Sequence, residues 1–366
     1  MALSVLDLVG SPESLGAAHG AYAPETLRAF ARERLELART PEWTGRRLER
    51  AQVLALAEAC LDAHRHYSPA LTRELEALAD AAGVSVAEAL VVGGFTDFVD
   101  TVYGAGADTA SGGTGGGPAG ADQCTAFLVP SCRSAEGGAM LGQTWDMHAG
   151  AERHVLVLRA VPDDAPAFVT FTSVGCLGMI GMNEHGLAVG INNLSGADGR
   201  VGVTWPHVVR EALRQRDAEG ALAAIERAPL AGAHNYLVLD ARGRGANVEA
   251  TATRRHVTRL AGETLVHTNH CLVDETVRVQ RERDAVAQAS SEARLARAQA
   301  LLERETLTPL DLQAITADAD AICYRGAPPR FVATCGAVVM RPATRDAWMV
   351  AGLPSEHPFE RLAMPA

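Results

Sequence analysis

The sequence predicts an α/β (α+β) fold, a four-layer αββα sandwich of antiparallel sheets with an N-terminal helical segment. Helical periodicity dominates up to about residue 100, whereas short apolar and β-branched runs separated by turns dominate from residue 124 onward. Consecutive strands joined by turns favour antiparallel sheets. Helices that arrive in pairs between groups of strands favour helical layers packed over those sheets.

The first predicted segment, residues 1–103, has the spacing of amphipathic helices. Ser11-Pro12-Glu13 is a typical helix start, because proline is well tolerated in the first helical turn. Residues 1–10 lack the basic start and long apolar core of a secretory signal. We find no apolar run near the ~18 residues that a membrane-spanning helix needs, and we expect no membrane partner.

The second predicted segment, residues 104–123, is a glycine-rich linker that ends at a self-cleavage site. Eight glycines lie between positions 104 and 120, with almost no large apolar residue among them. This composition is typical of a flexible connection. A phosphate-binding loop is excluded, because such a loop needs a preceding strand and a lysine, and both are missing.

The third predicted segment, residues 124–366, carries the sheets. Strands are expected at 124–129, 139–145, 154–159, 167–172, 178–182, 187–192, 236–239, 246–250, 256–258, 264–267, 334–341 and 346–350. Helices are expected at 204–218, 221–227, 275–305 and 310–319. Residues 183–186 form a plausible hairpin turn. The Arg/Glu-rich stretch 281–305 is expected to present a solvated face.

Composition excludes several classes of function. The net charge of −11 argues against nucleic acid and anionic membranes as partners. All 33 basic residues are arginines, so no lysine is present to form a Schiff base or to attach pyridoxal phosphate. Seven scattered cysteines without a CxxC pair predict a cytoplasmic protein with free thiols and no structural zinc. We expect no cofactor and no metal.

Cys124 is the candidate nucleophile. A cysteine at the start of a strand, directly behind a flexible run, becomes an N-terminal nucleophile if the chain is cut before it. Its α-amine, with a free pKa of ~7.7–8.0, accepts the thiol proton near neutral pH. The thiolate then attacks an amide or thioester carbonyl and forms an acyl-enzyme. Such a site needs a carboxylate and an oxyanion donor, and the expected strands end at Asp146 and beside Asn269.

Five motifs in order resemble the penicillin acyltransferase family, whose namesake is acyl-coenzyme A:isopenicillin N acyltransferase. The motifs are Asp122–Thr125, Gly142–Asp146, Gly181–Asn193, the stretch beginning Asn235-Tyr236, and His267–His270. The segment Gly10–Gly20 also resembles the start of these proteins. Members are self-cleaving N-terminal nucleophile (Ntn) hydrolases, so the resemblance implies the Ntn-hydrolase sandwich. It also implies that Cys124 acts in self-cleavage and turnover, that Asp146 orients the new α-amine, and that Asn269 donates to the oxyanion.

Three further residues are implied as substrate-binding. Related bile-salt hydrolases and penicillin V acylases place a pocket asparagine where this chain has Asn192, and an arginine where it has Gln143. Arg341 is similar in position to the family's substrate-side arginine. The family usually has glycine before the nucleophile, where this chain has Gln123. Glycine eases the strained backbone that cleavage requires, so slow or absent cleavage stays open.

The expected function is hydrolysis of an amide, or transfer of an acyl group, through a Cys124 acyl-enzyme after cleavage at Gln123–Cys124. The substrate would be a small-molecule amide or acyl thioester, and a β-alanyl-amine or peptide amide fits equally. The two cleaved chains would stay associated, and a homo-oligomer is possible. The rival function is an unprocessed, non-catalytic binding protein. A zinc site at His267 and His270 and a papain-type site are weaker alternatives.

Overall fold

The structure is a computed structural model that describes residues 3–105, 123–326 and 332–365. Its strands are β1 Val5–Gly10, β2 Ala126–Val129, β3 Met140–His148, β4 Val155–Pro162, β5 Phe168–Ser173, β6 Ile180–Asn183, β7 Ala188–Asn193, β8 His234–Leu239, β9 Gly245–Ala250, β10 Arg255–Arg259, β11 Leu265–His267, β12 Val332–Arg341, β13 Asp346–Ala351 and β14 Glu360–Leu362. Its helices are α1 Pro12–Tyr22, α2 Pro24–Ala38, α3 Pro41–Thr44, α4 Arg50–Tyr67, α5 Pro69–Ala82, α6 Val86–Gly93, α7 Phe95–Gly104, α8 Trp205–Leu213, α9 Ala218–Arg227, α10 Asp274–Val277, α11 Ala285–Leu302 and α12 Pro309–Thr316.

Two sheets form the centre of the molecule. The eight-stranded sheet has the order β1-β4-β5-β6-β7-β8-β9-β10, and the six-stranded sheet has the order β11-β2-β3-β12-β13-β14. Strands β2 and β3 contact β7 and β8, so the two sheets face each other. Helices α8 and α9 pack on β6, β7 and β8, while α11 and α12 pack on β11, β3 and β12. The predicted four-layer αββα sandwich is therefore confirmed.

The sequence predicts a helical N-terminal segment, but this segment begins with a strand. Its first element, β1, pairs in parallel with β4 at the edge of the eight-stranded sheet, with Val5 opposite Val157. This is the one parallel pair among the strand pairs of the described residues. A six-residue edge strand whose partner lies about 150 positions away has no local signal, which is why periodicity missed it.

The long helix predicted at 275–305 is wrong, because two helices lie there with an irregular stretch between them. The Asp284 side chain accepts hydrogen bonds from the N–H groups of Val286 and Ala287, and this N-cap makes α11 begin at residue 285. Before the cap, the N–H of Arg281 donates to the carbonyl of Ser195. That contact ties the stretch to the loop after β7 rather than to a helix.

The glycine-rich linker prediction falls almost entirely on residues 106–122, which lie outside the described residues. Helix α7 ends at Gly104, and the chain is described again from Gln123. The predicted hairpin turn is confirmed, because β6 ends at Asn183 and Gly186 takes a φ of 71° before β7 begins. Within the described ranges, no helix has both the length and the apolar character to cross a membrane.

Candidate active site

Cys124 lies two residues before β2, inside the molecule. Its side chain is 3% exposed, and Sγ donates to the backbone carbonyl of Asp146 over 3.8 Å. The next residue, Thr125, fixes this end of β2 against β3. Its N–H donates to Oγ1 of Thr144 at 3.1 Å, and its carbonyl accepts from the Thr144 N–H at 2.9 Å. The strand after Cys124 therefore pairs with β3, the strand that contains Asp146.

Asp146 is fully buried near the end of β3. It lies opposite Thr334 of β12, where a β-bulge at Cys335 interrupts the register. Burial raises the pKa of the Cys335 thiol, and the nearby Asp146 carboxyl raises it further. The Cys335 side chain is thus held in the unreactive thiol form.

Asn269 is fully buried two residues after β11 and is held by three partners. Its backbone N–H donates to Oγ of Ser291 at 2.9 Å. Its side-chain Nδ2 donates to the backbone carbonyl of Asn193 at 3.0 Å, and its Oδ1 accepts from Arg294 at 3.0 Å. The amide group is therefore oriented, with its oxygen toward α11 and its nitrogen toward the eight-stranded sheet. A preorganised donor is what an oxyanion site requires.

Arg294 joins the two predicted catalytic positions. From α11, its Nη1 donates to the Cys124 carbonyl at 2.7 Å and to Oγ1 of Thr125 at 3.2 Å, while Nη2 donates to Asn269. The side chain is only 1% exposed. The expectation of a solvated face for 281–305 is therefore wrong at this residue. One signal could have found it, because Arg294 precedes the buried Ala298 by four positions and lies on the same helical stripe.

Asn192 lies in β7 and belongs to a row of buried asparagines. Nδ2 of Asn235 donates to Oδ1 of Asn192 at 3.2 Å and to Oδ1 of Asn247 at 2.7 Å. Asn192 points to the same side of the sheet as Gly190, two residues earlier. A Cβ on Gly190 would lie 2.6 Å from Oε1 of Gln143 in the other sheet. The asparagine row therefore faces the space between the sheets.

Gln143 ties the two sheets together. From β3, its Oε1 accepts from the backbone N–H of Ile191 at 2.9 Å, and its Nε2 donates to the carbonyl of the same residue. The pairing of β7 with β6 ends at Val189. Beyond that point, the Gln143 carboxamide binds the backbone N–H and carbonyl of Ile191, as a neighbouring strand would. Both of its polar ends are used in this contact, which places Gln143 beside Asn192 but in a backbone-binding position.

Arg341 is not brought to this cluster. It ends β12, seven residues beyond Thr334, which corresponds to roughly 23 Å along a strand. There it pairs with Asp346 at 2.7 Å and with Glu136. Burial opposes ionisation of Asp346, but hydrogen bonds from Thr344, Arg341 and Arg361 outweigh it and lower the pKa of Asp346 to about 2.

The two histidines weighed as zinc ligands have other partners. His267 Nε2 lies 2.8 Å from Oε1 of Glu249, and its Nδ1 lies 2.9 Å from the carbonyl of Thr268. His270 Nδ1 lies 2.7 Å from Oγ of Ser291, and burial lowers the pKa of His270 to about 4. No group of three or more ligands fit for a metal ion occurs among the residues for which coordinates are described.

Comparison with known proteins assigns the family. Residues 133–356, well over half of the chain, match the model of the acyl-coenzyme A:6-aminopenicillanic acid acyl-transferase family. The chain belongs to this family. The resemblance inferred from the five motifs is thus confirmed. The match contains Asp146, Asn192, Asn269 and Arg294, and it begins after Cys124.

Three solved structures are similar to this acyl-transferase family member in fold. The N-acylethanolamine-hydrolyzing acid amidase ortholog of Caenorhabditis elegans is 14% identical, with a TM-score of 0.44 over 60% of this chain and 93% of that one. A mutant conjugated bile acid hydrolase of Clostridium perfringens is 12% identical, with a TM-score of 0.46 over 66% and 92%. Penicillin V acylase of Agrobacterium tumefaciens is 14% identical, with a TM-score of 0.37 over 62% and 83%.

Proposed function

We propose that this chain is a self-processing cysteine Ntn enzyme that hydrolyses an amide, or transfers an acyl group, through a Cys124 acyl-enzyme. One observation carries the proposal. Arg294 holds the carbonyl of Cys124 and the side-chain oxygen of Asn269 at the same time, so the thiol and the oxyanion donor are positioned by one buried group. Membership of an acyl-transferase family supports the reaction class.

The proposed roles follow from the contacts. Cleavage between Gln123 and Cys124 frees the α-amine, which takes the thiol proton and acts as general base. Asp146, buried beside the cysteine, orients the ammonium form of that amine. Asn269 donates its second Nδ2 hydrogen to the tetrahedral oxyanion, because its first is given to Asn193. No cofactor enters this scheme.

Mass spectrometry under denaturing conditions tests the proposal together with an amidase assay. We expect residues 1–123 and 124–366 as separate masses in the purified protein, and a single intact mass with no activity for Cys124→Ala. Cys132 is the exposed cysteine of the seven, so Cys132→Ala is the matched control that should stay cleaved and active. A wild-type chain that stays intact and is no more active than Cys124→Ala would refute the proposal and favour a binding protein.

We also propose that the two pieces remain associated after cleavage. Strand β1 of the small piece is an edge strand of the eight-stranded sheet. Glu74 of α5 forms a buried bidentate ion pair with Arg210 of α8, with distances of 2.7 and 2.9 Å. Asp100 of α7 accepts hydrogen bonds from the N–H groups of Gly196 and Ala233. Separation of the two pieces would remove β1 from the sheet and would break the contacts of these buried side chains.

The acyl acceptor and the compartment complete the proposal. Water or an amine attacks the acyl-enzyme, and one acyl donor offered with and without added amines measures the partition between hydrolysis and transfer. Acyl thioesters, β-alanyl amines and peptide amides are the substrate classes to screen. A reducing, cytoplasmic setting is supported by the seven cysteines, which form no disulfide within the part of the chain that the structure describes.

A further inference from the structure

The side chain of Gln123 lies in a buried position beside the candidate nucleophile, and this position is the Gln123 seat. Gln123 is only 6% exposed, and its Oε1 accepts a hydrogen bond from Oγ of Ser290 at 3.4 Å. Ser290 lies on α11 directly before Ser291, which holds the backbone of Asn269. Burying a carboxamide is costly unless it is hydrogen-bonded, and the Ser290 hydroxyl supplies a hydrogen bond in this seat.

Self-cleavage would place the acyl group of Gln123 on Cys124. The thiol sulfur adds to the carbonyl carbon of Gln123, the bond from that carbon to the Cys124 nitrogen breaks, and the nitrogen gains the thiol proton. Water then breaks the carbon–sulfur bond, its hydroxyl completing the Gln123 carboxyl group and its other proton returning to sulfur. The intermediate is a thioester whose acyl side chain is that of glutamine.

Turnover would form a thioester of the same geometry. The sulfur is the same atom, and the carbonyl oxygen uses the same donor, Asn269, whose orientation Arg294 and Ser291 fix. With the sulfur and the carbonyl oxygen both placed, the acyl chain leaves the carbonyl carbon in one direction. In the self-cleavage thioester the group attached at that carbon is Gln123, whose side chain occupies the seat in the uncut chain.

We propose that the Gln123 seat is the acyl subsite of the mature enzyme and that Ser290 is a specificity-determining residue in it. The inference rests on the proposed function. The preferred acyl group is a short chain that ends in an uncharged hydrogen-bond acceptor, as in the monoamide of glutaric acid. A site built to hydrogen-bond a polar substrate group discriminates strongly against an analogue that lacks the group.

The test compares two aminomethylcoumarin amides. One carries the glutaric monoamide acyl group, and the other carries its apolar isostere, in which methyl groups replace the carboxamide oxygen and nitrogen. We expect kcat/KM to favour the carboxamide by about tenfold or more, the value of a hydrogen bond of about 1.4 kcal/mol. Ser290→Ala should reduce that ratio at least about fivefold while retaining cleavage of the apolar amide. Ser290→Thr, which keeps a hydroxyl, should retain the preference.

Gln299→Ala is the matched control, because Gln299 is exposed on the same helix. If Ser290→Ala is not cleaved, the same substitution is made in a Gln123→Gly chain. After cleavage, residues 124–366 of that double variant are identical to those of Ser290→Ala, so the same mature enzyme is tested. An unchanged ratio in Ser290→Ala, a wild-type preference for the apolar isostere, or cleavage of other amides but of neither probe would overturn the subsite while the proposed function stands. Wild type and Cys124→Ala that are equally inactive on every amide would overturn both.

Discussion

Arg294 and Asn269 are joined by a hydrogen bond of 3.0 Å from the guanidinium Nη2 to the side-chain Oδ1. The nitrogen of the same carboxamide donates to the backbone carbonyl of Asn193. The same guanidinium holds the Cys124 carbonyl through Nη1. Arg294 thus links the backbone of Cys124, the proposed nucleophile, to the side chain of Asn269, the proposed oxyanion donor.

Replacing Arg294 by Gln should lower kcat by about a hundredfold, because a misoriented Asn269 amounts to the loss of one oxyanion donor. KM should change little, since the residue lies behind the site. The control is Arg297→Gln on the same helix, where the arginine is 38% exposed and pairs with Asp318. Equal kcat values for Arg294→Gln and Arg297→Gln, both fully cleaved, would contradict the positioning role.

Ser291 supports the same asparagine from its backbone. Its Oγ accepts from the Asn269 N–H at 2.9 Å and donates to Oγ1 of Thr268 at 3.0 Å. Ser291→Ala leaves a buried N–H without an acceptor, at a cost of about 1–3 kcal/mol in the free energy of unfolding. Urea titration should show this loss together with a lower kcat. Ser291→Cys, which keeps a weaker acceptor, should lie between alanine and wild type in both measurements.

The sequence singled out Cys124, Asp146 and Asn269 as candidates because each stands at or beside the end of an expected strand, within a recognisable pattern of neighbours. It did not locate Ser291 or Arg294. A single polar residue on a helix is ordinarily solvated, and these two are buried because α11 packs on β11 and contacts the residues just before β2 and just after β11. Local periodicity contains no information about such a contact between segments distant in sequence. The same reasoning explains why the strand pairing of β1 with β4 was missed.

Glu74 should stabilise the two-piece molecule far more than its neighbour Glu76. Glu74 and Arg210 are each 3% exposed, so removing the carboxylate leaves a buried guanidinium without its ion-pair partner and should cost about 3–5 kcal/mol. Glu76 pairs with Arg65 at the surface, with side chains 39% and 54% exposed, and its loss should cost at most about 1 kcal/mol. Both glutamates lie on α5, and both are replaced by Gln.

The comparison is made by urea unfolding in a Cys124→Ala chain, so that cleavage does not affect the free energy of unfolding. In the cleaved protein, size-exclusion chromatography should show that Glu74→Gln releases the small piece at lower urea concentration than Glu76→Gln does. Release at the same urea concentration would mean that β1 and the remaining contacts alone retain the small piece.

Acid should destabilise the folded chain through its buried histidines. Burial lowers the pKa of His19 and His234 to about 3 and that of His64 to about 4, against an unfolded value near 6.5. The unfolded chain therefore binds more protons than the folded one as the pH falls below about 6.5, and stability drops until about pH 3, where His19 and His234 become protonated in the folded chain as well. Asp100 acts in the opposite sense, because burial raises its pKa to about 7. Its protonation below pH 7 favours the folded state, and burial raises the pKa of Asp97 in the same direction, but the buried histidines outnumber these two carboxyl groups.

A comparison of variants at His64 and His66, which both lie on α4, distinguishes the effect of histidine burial from general sensitivity to acid. His64 is fully buried, with Nε2 3.0 Å from the Thr204 N–H, whereas the His66 side chain is 80% exposed. His64→Gln should flatten the fall of unfolding free energy between pH 6 and 5 by up to about 1.4 kcal/mol per pH unit, the slope of one proton. His66→Gln should leave the slope unchanged. Because only a group that titrates differently in the folded and unfolded states contributes to the slope, parallel pH profiles for the two variants would show that burial does not lower the pKa of His64 in the folded chain.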